Sequence, residues 1–128
     1  MYGVKNKGRV DTVLVMREVE AKERKILRIV DILGEYSELQ YTTKAIDCLL
    51  TEGAYEYIDL YETGLDDDML KKSGFVDRTE TDNIIPNYFE PDLQENIDIN
   101  YFTTDADIVL FKGDGDQDRP SVVREVVQ

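Results

Sequence analysis

Apolar residues gather in two runs near the start of the chain. Val10 to Val19 reads VDTVLVMREV, and Arg24 to Leu33 reads RKILRIVDIL. Both are rich in β-branched residues at their centres, as buried strands are. The polar link EAKE between them predicts an antiparallel hairpin. Gly34 breaks the pattern, and the periodicity then changes. Leu39, Ile46, Leu49 and Leu50 recur at helical spacing, which predicts a helix over Ser37–Thr51. Ser37-x-x-Gln40 fits a capping box at its start, and Gly53 suits a left-handed stop at its end. Tyr55–Tyr61 (YEYIDLY) reads as a strand with Tyr57, Asp59 and Tyr61 on one face.

A second, shorter helix is predicted over Asp66–Ser73. Asp66, Asp67 and Asp68 stand at its start and Lys71 and Lys72 at its end, both favourable to the helix dipole. Gly74 suits the position after the helix, with Phe75 folding back as the apolar contact beyond it. Val76–Thr79 is expected as a strand. Thr81 to Thr103 carries Pro86 and Pro91 with little periodicity, and a loop of that length in a compact domain is usually functional. Ala106–Phe111 (ADIVLF) reads as a last strand. These elements predict an α/β domain of the α+β kind, with two helices on a mixed, mostly antiparallel, twisted sheet of about five or six strands. It spans residues 1–112, and residues 113–128 form an acidic turn and tail.

Composition narrows the chemistry. The 128 residues suit one domain with one core. There are 28 acidic and 15 basic side chains, a net charge of −13, and no histidine. A Ser-His or Cys-His relay cannot be built from this chain, nor an ordinary zinc site. The charge disfavours nucleic acid and anionic membrane surfaces. No stretch reaches the ~20 apolar residues of a membrane span, and MYGVKNKGRV lacks the apolar centre of a secretory leader. Cys48 is alone, which fits a reducing cytoplasm and reads as an inert core or near-core thiol, with a nucleophile as the alternative. Asp114, Asp116 and Asp118 alternate as in the opening of a calcium loop. Arg119 and Pro120 follow where such a loop needs glycine, so a polar turn is the simpler reading.

The order strand, strand, helix, strand, helix, Gly74-Phe75, strand, loop, strand resembles the C-terminal half of a GNAT (acyl-CoA N-acyltransferase) domain, from its third strand onward. The resemblance covers roughly Val10 to Phe111 and rests on topology with one short motif. It implies acyl transfer from acetyl-CoA or another acyl-CoA to an amine or amino sugar. It also implies a cofactor loop near Gly34 and Ser37, and a cleft between Asp31, Gly34, Tyr61 and the Tyr88–Phe89 loop. Asp31 would be the general base and Tyr61 the acid, with Tyr88 and Phe89 contacting substrate. The family's loop reads Arg/Gln-x-x-Gly-x-Gly/Ala. Here Leu33-Gly34-Glu35-Tyr36-Ser37-Glu38 has one glycine, no basic residue and two carboxylates that would repel phosphates.

Two functions therefore compete. One is an acyltransferase domain, or the half of one. The other is a non-catalytic, GNAT-derived domain that binds a small ligand or a protein. The expected partners are a small-molecule substrate, a missing N-terminal half of a longer protein, or a second copy in a homodimer. A metal site is not expected.

Overall fold

A computed structural model describes residues 1–6, 8–21, 23–85, 95, 96 and 98–112. The predicted hairpin is its backbone. Strand β1 (Tyr2–Asn6) pairs antiparallel with β2 (Arg9–Ala21), and β2 pairs antiparallel with β3 (Arg24–Gly34). After a helical crossover, β4 (Tyr57–Leu60) lies parallel to β3 on its other side. The sheet order is β1-β2-β3-β4. A second, two-stranded sheet joins β5 (Glu62–Thr63) to β6 (Leu110–Phe111). The architecture is the expected α+β class, and among the described residues six strands divide four and two between the sheets.

A bulge sets the facing of β3. Val15 pairs with Asp31 and Met16 with Ile29, so Val30 is an extra residue in the ladder. Strict alternation would send Ile29 and Ile32 to opposite faces, since they are three apart. The bulge re-phases the strand, and both enter one core with Leu14 and Leu39. Arg28 and Asp31 consequently fall on the other face. Each of the four core side chains is 3% exposed or less. Burial at this level stabilises by about 1.5–3 kcal/mol per large aliphatic side chain.

The crossover differs from the single helix expected over Ser37–Thr51. A 3-10 turn runs from Tyr36 to Tyr41, and α1 spans Thr43–Gly53. The tight turn drops Leu39 into the core. Thr42 then breaks the run, its buried hydroxyl donating to the Leu39 carbonyl at 2.7 Å. Ser37 lies within the 3-10 turn, and no side chain caps that turn; the amide of Gln40 donates to the Ser37 carbonyl instead. Gly53 is the last residue of α1, and Ala54 takes the left-handed position, with φ of 52°. The ring of Tyr55 occupies the space beside Gly53, which a larger residue would fill.

Helix α2 (Asp67–Lys72) follows the sequence closely. Asp66 is its N-cap and accepts from the Met69 amide at 2.7 Å. Gly74, at φ of 93°, donates to Lys71, and Phe75 donates to Leu70, a Schellman closure. Phe75 packs against the core. Beyond it the expected strand Val76–Thr79 is replaced by a 3-10 turn, Arg78–Glu80, capped by Asp77. The last expected strand shortens to β6, because β5 offers it only two partners. No helix among the described residues is long and apolar enough to cross a membrane.

Candidate functional site

The sheet interior holds an ion pair that sequence patterning does not single out. Arg28 and Asp59 are register partners across the parallel β3–β4 ladder. The Arg28 Nη2 donates to Asp59 Oδ2 at 2.7 Å and its Nε to Oδ1 at 3.0 Å. Their side chains are only 5% and 1% exposed. Fork geometry of this kind satisfies both carboxylate oxygens and offsets much of the desolvation penalty. A signal for the pair does exist in the sequence: Arg28 within LRIVDIL and Asp59 within YIDL are opposite charges embedded in apolar strands.

Tyr61 completes this cluster. The guanidinium of Arg28 lies 5.3 Å from the centre of its ring and the Lys112 ammonium 5.8 Å from it. Burial pushes the Tyr61 phenol above its ordinary range, and the Arg28 charge opposes that shift. The parallel ladder ends at Ile29 and Leu60. Tyr61 then changes partner, its carbonyl accepting from the Lys112 amide at 2.9 Å as the chain enters β5. The chain after Leu60 thus parts from β3 where Val30 bulges.

Asp31 sits just past that bulge. Its Oδ1 accepts from the Ile32 amide at 2.8 Å, so the carboxylate that interrupts the apolar strand satisfies a backbone donor beside the irregularity. No hydrogen bond joins Asp31 to Tyr61 among the described residues. Tyr88 and Phe89, expected to contact substrate, lie outside the described residues, as do Asp114, Asp116, Asp118 and the tail.

The segment expected to hold a cofactor pyrophosphate is closed against β2. Gly34 has φ of 105°, and a Cβ there would stand 2.2 Å from the Asp11 carbonyl oxygen. The Glu35 amide donates to that same oxygen at 3.1 Å, and the Glu35 carbonyl accepts from the Thr12 hydroxyl at 2.6 Å. The Glu38 amide donates back to Glu35. A phosphate cradle needs amides aimed outward at a helix start. Here the amides of Glu35 and Glu38 are already engaged, Gly34 and Ser37 are exposed beside them, and both glutamates add negative charge.

A cleft of about 270 Å³ opens on the other side of Tyr61, between the end of β4, α2 and the 3-10 turn at Arg78. Leu60, Leu70, Phe75, Val76 and Ile85 give it apolar walls. Its rim is charged. Lys71 pairs with Glu80 at 2.8 Å, and Arg78 pairs with Asp98. Glu62 is partly buried; one oxygen accepts from the Leu65 amide at 3.0 Å. Burial raises the Glu62 carboxyl above its usual range, and the nearby charges of Asp67 and Asp77 raise it further. Asp77 moves the other way, because the Thr79 hydroxyl and amide both donate to it. Neither Glu62 nor this cleft is apparent from sequence, since both depend on elements distant along the chain, β5 pairing with β6 and the end of β4 lying beside α2 and the Arg78 turn.

Beyond the cleft, Asn96 ties the long loop to itself, donating to the Asn83 carbonyl at 3.0 Å and accepting from the Ile85 amide at 2.9 Å. Tyr101 and Thr63 share a hydrogen bond at 3.1 Å. Cys48, expected in or near the core, is instead exposed on α1, on a face of that helix turned away from the sheet core. Among the described residues no three His, Cys, Asp or Glu side chains are grouped to hold a metal ion. No protein-family model matches this chain, and no curated protein or solved structure matches it.

Proposed function

We propose that this chain is a non-catalytic binding domain built on a GNAT-like sheet, using the cleft beside Tyr61 rather than a cofactor loop. The observation that carries this reading is the closure of Gly34–Glu38 on β2. The Glu35 amide is bonded to Asp11, Gly34 is pressed against the same carbonyl, and Glu35 and Glu38 repel anions. A ligand carrying a pyrophosphate finds neither free donors at these amides nor a favourable field there. The remaining polar machinery is structural: Arg28 and Asp59 hold β3 to β4, and Asp31 satisfies an amide beside a bulge.

A second reading, acyl transfer from acyl-CoA to an amine, draws support from one feature. The parallel β3–β4 pair parts after Ile29 and Leu60, with Asp31 and Tyr61 just beyond the parting. Isothermal calorimetry with coenzyme A and acetyl-CoA separates the two. The binding-domain reading predicts no saturable heat at millimolar ligand. Saturable binding, weakened by a third carboxylate introduced as Ser37→Asp, would favour the acyltransferase instead.

A further inference from the structure

We draw no further inference here: the strongest candidate, the outer edge of β1, which no strand among the described residues pairs and beside which Val10 and Leu33 are exposed, carries none, because nothing in the structure shows what covers it.

Discussion

Arg28 and Asp59 lie directly across from each other in the parallel β3–β4 ladder and are joined by hydrogen bonds of 2.7, 3.0 and 3.3 Å inside the sheet. Removing one partner leaves a buried charge alone. Asp59→Ala is therefore expected to cost about 3–5 kcal/mol in urea denaturation, whereas the double change Arg28→Met with Asp59→Leu costs much less than the sum of the single changes. Equal, additive losses would show that the pair is not coupled.

Gly34 holds the junction between β3 and the 3-10 turn. Gly34→Ala places a Cβ against the Asp11 carbonyl at a φ of 105° that L-residues avoid. The expected loss is at least the ~1–3 kcal/mol of a strained backbone position. By contrast, Gly8→Ala, with φ of 88° and open space around it, lacks the clash and loses less. Thermal melts of the two variants give the comparison.

The cap of α2 can be separated from its dipole. Asp66→Ala removes the acceptor for the Met69 amide and is expected to cost about 1 kcal/mol. Asp68→Ala changes only the charge in the first turn and is expected to cost a few tenths of a kcal/mol up to about 1. High salt shrinks the second loss more than the first.

Much of this architecture is written locally. The hairpin follows from two buried runs around EAKE, and α2 from Asp66, its lysines and Gly74-Phe75. What escapes local reading is set by distant partners. The 3-10 turn exists because Leu39 must reach a core built by Leu14, Ile29 and Ile32. The bulge at Val30 depends on the register with Val15 and Met16. The Arg28–Asp59 pair needs β3 and β4 aligned in parallel. The candidate site was legible to a similar degree. Tyr61 stands where β4 passes into β5, and Glu35 and Glu38 add negative charge to the turn after Gly34. Glu62 is placed by its pairing with Phe111, and the cleft beside it by residues from β4 through Ile85.

Glu62 also gives a pH signature. Its carboxyl is raised in the folded state by burial and by Asp67 and Asp77. Its contribution to stability is full below the unfolded glutamate value and is lost as pH rises through the folded value. Glu62→Gln should therefore melt higher than the parent near neutral pH, with the difference fading toward acid. Glu18 and Asp77, both lowered by hydrogen bonds, act in the opposite direction, their contributions fading as pH falls. Melting curves of parent and variant across the acid range show whether the two lines converge.

Gly34–Glu38 forms a turn closed on the Asp11 carbonyl of β2. The most direct measurement is a two-dimensional amide spectrum of the isotope-labelled chain titrated with acetyl-CoA. With the turn closed, the Gly34, Glu35, Ser37 and Glu38 resonances are expected to stay in place to millimolar ligand, with Glu35 protected from hydrogen exchange by its bond to Asp11. Saturable shifts at these amides, with loss of the Glu35 protection, would contradict it.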